Sequence, residues 1–370
     1  MRTVRRLLYR DIVWSVAFVT LAFLGLFYFI DFVAELDDIG RGGYTPWHAA
    51  LASLLQLPGH FYELFPITVL IGTIYSMARL AQSSEYTILR TGGLGPGRAL
   101  RLLAGLGLLF SLVTLVAGDI LTPLTEGEAV LLKSRFRGGL QAERAGIWLK
   151  DRRMTSEGER HISVNVGRAA NRMEMREVRI FEIDLDGVLR TRIEAAVAQV
   201  DDSSWRLQKV VQSEWPSPAA ARRGDAVRVA RMEELTWPTQ LSADVVAAAV
   251  LPATTMSTVD LWRYSNHLAD QDQDTQRYQI QFWKKALYPL ACLVMMALAL
   301  PFAYLHARAG GVSLKVFGGV MLGISFVLLN NLSGHLGLLR QWTPWIAAAT
   351  PSAIYLAISM AAFAWLVRYR

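Results

Sequence analysis

Apolar residues fall into six long stretches, and the pattern changes only once, between the third and the fourth. The first stretch runs from Ile12 to Ile30 without a charge. The second runs from Trp47 to Ala78, interrupted only by Glu63 and carrying Pro58 and Pro66. The third lies between Arg101 and Asp119, the fourth between Lys285 and Arg308, the fifth between Lys315 and Arg340, and the sixth between Arg340 and Arg368. A helix needs roughly 20 apolar residues to cross the hydrocarbon core, and buried helices of soluble proteins usually run shorter. The pattern predicts a helical membrane protein with six transmembrane helices. A bend is expected in the second at Pro58 or Pro66, since neighbouring helices can satisfy the carbonyls that proline frees.

The stretch between the third and fourth spans has a period of two. Ile162, Val164 and Val166 alternate with His161, Ser163 and Asn165. Residues 178–183, 191–200, 205–211 and 226–232 are further candidate strands. Turn signals separate them: Asp186-Gly187, Asp201-Asp202-Ser203-Ser204, Pro216 to Pro218 and Arg223-Gly224-Asp225. Many short strands between such turns predict an inserted all-β domain of sandwich or jelly-roll type. Behind it, Ser257-Thr258-Val259-Asp260 has the form of a helix-starting cap, predicting a short helix to about Ala269. The expected division is 1–124 for three spans, 125–256 for the β domain, and 257–370 for the connecting helix and three further spans.

Charge sets the orientation. Arg2, Arg5, Arg6, Arg10, Arg79, Arg90, Arg98, Arg101, Arg308, Lys315, Arg368 and Arg370 flank the spans on one side; the short loops on the other hold Arg41 and Arg340. Basic residues in short loops stay in the cytoplasm. Both termini are therefore expected there, with residues 121–274 outside, in the periplasm. The N-terminus imitates a signal peptide, but its apolar run is too long and no small-residue cleavage site follows, so it is read as an uncleaved first span. The formal net charge of +7 comes mostly from the cytoplasmic loops and gives no reason to expect nucleic-acid binding. The single cysteine, Cys292, lies inside the fourth span, so the β domain has no disulfide and must rest on its own core.

The chemistry-bearing motifs of enzymes are missing. No G-x-x-x-x-G-K-[S/T] phosphate loop occurs. Gly92-Gly93-Leu94-Gly95-Pro96-Gly97 lacks the lysine and reads as a tight turn between helices. There is no Cys/His cluster with metal-ligand spacing. His60 and His335 stand near membrane edges, where a lone histidine is usually a packing residue. A non-catalytic chain is expected, with no metal or cofactor of its own. The mid-span positions are almost free of ionisable groups, which argues against a secondary transporter with its own ion coupling.

Several runs carry a resemblance. Leu54-Leu55-Gln56-Leu57-Pro58 through Phe65-Pro66, Met77-Ala78-Arg79-Leu80-Ala81-Gln82-Ser83-Ser84-Glu85, Gly146-Ile147-Trp148-Leu149-Lys150-Asp151, and Arg277-Tyr278-Gln279 with Trp283-Lys284-Lys285 resemble the LptF/LptG family of lipopolysaccharide-export permeases. The resemblance covers essentially the whole chain, layout included. It implies an inner-membrane heterodimer with an LptF-like paralogue, driven by an LptB-like ATPase dimer that uses ATP and Mg. It also implies that lipopolysaccharide enters a cavity between the paired spans, and that jelly rolls pass it to an LptC-like protein.

Two groups of residues acquire roles from this resemblance. It places a cytoplasmic coupling helix at about 82–90, with Glu85 as its acidic contact to the ATPase and Arg79 and Arg90 near its ends. Read from composition, the same segment is a solvated connecting loop with an incidental charge. Lys133, Arg135 and Arg137 directly follow the third span. On a continuing helix, 133 and 137 share a face. Arginine suits lipid phosphate through its planar fork, and lysine acts as a point charge. The resemblance makes these three headgroup contacts; without it they form a solvated basic face. Asp31-Phe32-Val33-Ala34-Glu35-Leu36-Asp37-Asp38 departs from relatives that carry lysines there, because carboxylates cannot pair directly with phosphate. The cavity wall is expected from spans one, two and five, with Leu24, Phe27, Phe61, Phe65, Leu322 and Phe326 as acyl-chain contacts. The alternative function is a membrane-anchored scaffold whose β domain only gathers partners.

Overall fold

The computed structural model describes residues 2–369 apart from 84–87, 89–90, 92–94, 137–146, 156–157, 170–172, 202–203, 217–221, 225, 240, 242–244, 247–252, 272 and 305–311. The described helices are α1 (Arg2–Glu35), α2 (Pro46–Gln82), α3 (Pro96–Val116), α4 (Thr122–Phe136), α5 (Thr258–Asp270), α6 (Gln276–Leu287), α7 (Ala291–Tyr304), α8 (Val312–Leu339) and α9 (Pro344–Tyr369). A π turn, Ala117–Leu121, joins α3 to α4, and a 3-10 turn, Tyr288–Leu290, joins α6 to α7. Among the described residues, six helical stretches are long and apolar enough to cross a bilayer. They coincide with the six stretches expected from the sequence, although the fourth begins earlier, at Gln276. α2 runs through both Pro58 and Pro66 as one helix.

The chain divides into two compact units: residues 1–35, 53–126 and 276–370, and residues 36–52 and 127–275. In the helical unit, α2 and α7 are central. On one side Leu8, Ile12 and Val16 of α1 and Leu103, Leu106 and Phe110 of α3 pack with Phe65, Val69 and Met77 of α2 and Met296 of α7. On the other, Leu70 and Ile74 of α2 and Met295 and Leu298 of α7 pack with Phe326 of α8 and Tyr355 of α9. Small residues allow these close approaches, as expected where lipid tails compete equally for apolar surface. A Cβ on Gly72 would lie 2.7 Å from the Val16 backbone, and one on Gly323 would lie 2.4 Å from Ile67. Cys292 is buried, within 3.2 Å of the Thr114 hydroxyl.

The second unit is built on one antiparallel sheet: β1 (Ile147–Thr155), β2 (Gly158–Ala169), β3 (Glu174–Ile183), β4 (Leu189–Val200), β5 (Ser204–Glu214) and β6 (Arg228–Pro238). The strands pair in sequence order, a meander. The sequence pattern located β2 to β6 but not β1, and the described strands make no Greek-key crossover. One face is apolar, with Leu149, Val164, Ile180, Ile193, Leu207 and Trp205 among its buried members. Pairing lapses in neighbouring strands along a single row, where Gly167 faces Glu177 and the gaps between paired residues continue to positions 196, 209 and 233. Glu177 and Lys209 adopt positive φ in this row, 56° and 53°. The row changes the step between buried positions from two to three: Met175 to Val178, Ala195 to Ala198, Leu207 to Val210. This crease keeps residues on both sides of the row directed at the same core, where an uninterrupted strand would turn them outward. Ser257 caps α5 in a reciprocal box with Asp260, as the sequence predicts.

Candidate functional site: an apolar crevice in the helical unit

A cavity of about 510 Å³ opens between α1, α2 and α3, within the size range of small-molecule sites. Leu24 of α1, Leu57, Pro58 and Phe61 of α2, and Leu112, Val113, Val116, Ala117 and Leu121 along α3 and the π turn line it. No lining residue carries a polar side chain. Local irregularities shape the opening. Pro58 has no N–H to give the helix ladder. The π turn widens α3 beside it, and Thr122 Oγ1 donates to the Ala117 carbonyl at 3.0 Å. Gly59 and Gly118 let side chains from neighbouring helices reach the backbone: a Cβ there would stand 1.8 Å from Glu126 Oε1 and 2.3 Å from the Tyr62 ring.

Polar groups gather one turn away from the lining. His60 Nε2 lies 2.7 Å from Asp31 Oδ2, with the Phe27 ring 4.8 Å from the imidazole. The departure in the acidic stretch is thereby partly explained: Asp31 serves His60, and Asp38 pairs with Arg41 at 2.7 Å. Among the described residues no group of three His, Cys, Asp or Glu side chains is placed to hold a metal ion.

The structure brings Leu24 and Phe61 together on the crevice wall and Phe27 beside it. Phe65 turns inward, 6% exposed, stacked on Phe61 and edge-on to Phe110. Phe326 is buried against Tyr355, and Leu322 packs against the same cluster, away from the crevice. The α3 wall was missed from the sequence, because nothing in an evenly apolar run marks which face is left open. Lys133 is half-buried on α4 and Arg135 lies on the same helix, while Arg137 falls outside the described residues. Glu85, Arg90 and Gly92 to Leu94 also lie outside them, so the expected coupling helix and glycine turn are not described there. Arg79 is described, and its guanidinium pairs with Asp11 of α1.

The profile of a family described as lipopolysaccharide export system permease LptF/LptG matches residues 6–368. The chain belongs to this family. It is 27% identical to the lipopolysaccharide export system permease protein LptG of Escherichia coli K12 over 335 residues, 90% of this chain and 89% of that protein. It is 25% identical over 358 residues to the LptG protein of Haemophilus influenzae, covering 96% of each. As an LptF/LptG permease the chain is a multi-pass inner-membrane protein of lipopolysaccharide export.

Proposed function

We propose that this chain is a transmembrane subunit of an ABC-type exporter that takes lipopolysaccharide from the outer leaflet of the inner membrane and passes it to a periplasmic bridge. The crevice between α1, α2 and α3 carries this reading: it is apolar throughout and large enough to receive a lipid chain. Family membership supplies the substrate. The chain has no phosphate loop of its own, which fits ATP hydrolysis, with its Mg, by a separate LptB-like ATPase dimer. Glu85, flanked by Arg79 and Arg90, is the proposed contact to that ATPase. An LptF-like paralogue would complete the heterodimer, and an LptC-like protein would receive the lipid. The distribution of Lys and Arg supports cytoplasmic termini and a periplasmic β domain of the jelly-roll class. Lys133, Arg135 and Arg137 are the proposed contacts to headgroup phosphate.

Photocrosslinking tests both ends of the substrate. A crosslinking amino acid at Val116, inside the crevice, should capture lipopolysaccharide in living cells. The same probe at Leu108, exposed two turns away on α3, should not. The double change Lys133→Glu with Arg137→Glu should lower the Val116 yield, because it turns attraction into repulsion. Equal yields at Val116 and Leu108 would reject the crevice as a substrate site. An unchanged yield in the double variant would reject the basic patch.

A further inference from the structure

The N-terminal end of α1 is tied to both helices that carry the segment between α2 and α3. Asp11 is the only acidic residue among the first thirty of the chain. Its carboxylate accepts a hydrogen bond from Ser76 Oγ at 3.0 Å through Oδ2 and pairs with Arg79 through Oδ1. Ser76 and Arg79 stand in the last two turns of α2. Two residues earlier on α1, Tyr9 OH donates to the Leu102 carbonyl of α3 at 2.8 Å. Leu8 and Ile12, fully buried between these bonds, pack in one cluster with Met77 and Leu80 of α2 and Ala99 and Leu103 of α3.

The contact continues along α1 in steps of about one turn. Ser76 meets Asp11, Gly72 meets Val16 backbone to backbone, and Thr68 accepts a hydrogen bond from Thr20 Oγ1 at 2.8 Å. Ser76, Thr68 and Gly72 are all buried. Small residues at every fourth position of α2 leave no side-chain cushion between the helices, so the two backbones pack closely. Further along the same helix, Leu24 lines the crevice. A displacement at the end of α2 therefore has a stiff route to the crevice wall, and its first link is a charge pair.

We infer that Asp11 is a positioning residue for transport: with Arg79 and Ser76 it carries movement of the α2–α3 segment into α1 and so to Leu24. The Arg79 guanidinium pairs with α1 while more than half of its side chain stays exposed, which leaves it open to the ATPase contact proposed for it as well. The inference rests on the reading that the α2–α3 segment docks an ATPase. Neither Asp11 nor Ser76 is among the residues proposed to meet lipopolysaccharide or the ATPase, so what depends on Asp11 is the yield of transport per ATP.

The test uses the full chain assembled with its partner chains in lipid vesicles. Three quantities are measured: ATPase co-purified, thermal stability, and ATP hydrolysed per lipopolysaccharide exported. Asp11→Arg should keep the ATPase bound while ATP consumed per lipid rises several-fold. Asp11→Arg combined with Arg79→Asp restores the pair with its signs exchanged and should bring the ratio back. Asp11→Asn keeps the shape and the Ser76 bond but removes the charge, and should raise the ratio by a smaller factor. If Asp11→Arg fails to assemble, Asp11→Asn and the exchanged pair decide. An unchanged ratio in Asp11→Asn together with an exchanged pair that does not recover would overturn the inference. Glu85→Lys separates the two readings: it should release the ATPase, and retention of the ATPase there would reject the docking reading while leaving the Asp11 ratios to be judged by themselves.

Discussion

Single side chains close local structure in this protein by satisfying backbone groups. At the turn between β3 and β4, Asp184 accepts the Val188 N–H at 2.8 Å through one carboxylate oxygen and Arg190 Nε at 2.7 Å through the other. Gly187 supplies the positive φ, 77°, that the turn needs. The Val188 amide and then the Arg190 side chain hold the Asp184 carboxyl below the usual carboxylate range. A carboxyl lowered by folding contributes stability above its ordinary pKa, and that contribution is lost as pH falls through the lowered value. Protection of the Val188 amide from hydrogen exchange, corrected for the intrinsic rate, should hold at neutral pH and fall in acid. Asp184→Asn should show reduced protection at neutral pH with little further change on acidification. Protection in the unaltered chain that stays constant through the acid range would show that the turn does not depend on this carboxylate.

At the scale of elements, two irregularities shape the protein. In the helical unit Pro58 and the π turn lie opposite each other, and the crevice opens between them. In the sheet the crease at 167, 177, 196, 209 and 233 lets one meander direct side chains on both sides of the row into one core. Non-glycine residues at positive φ cost on the order of 1 kcal/mol or more. Lys209→Gly should therefore stabilise the β domain by about 1 kcal/mol, and Lys209→Val should destabilise it by a similar or larger amount. Denaturant unfolding followed by exchange of the Trp205 indole N–H, which donates to the Leu241 carbonyl at 2.8 Å, reads both changes. If both variants unfolded like the parent, the positive φ at Lys209 would carry no strain, and the crease would need another cause.

The whole molecule combines helices that match a bilayer with a sheet that needs an aqueous side. Twelve of the basic residues that flank the spans in sequence lie on the side proposed to carry both termini. A cysteine introduced at Ser203 should react with an impermeant thiol reagent when the outer membrane is permeabilised and the inner membrane is intact. Labelling only after lysis would reverse the proposed orientation. The natural Cys292 is buried among α3 and α7 and should stay silent in both conditions.

The sequence by itself determined the six long apolar helices, the position of the β insert, five of its six described strands and the cap of α5. These follow from local signals: run length, period and turn chemistry. The family motifs were also legible, because they are short and contiguous. Tertiary structure alone decided which side of each helix faces protein. A span is apolar all round, so its sequence holds no stripe that separates a packed face from an open one. For that reason the sequence named Leu24 and Phe61, which line the crevice, but not the α3 wall beside them, and it named Phe326, which the fold buries against Tyr355. The sheet crease escaped for a related reason. A step of three within a period of two reads as a lapse in the pattern until neighbouring strands are seen to lapse in the same row. The partners of Asp11, sixty-five and sixty-eight residues away, were invisible for the simplest reason: only folding sets the ends of α1 and α2 side by side.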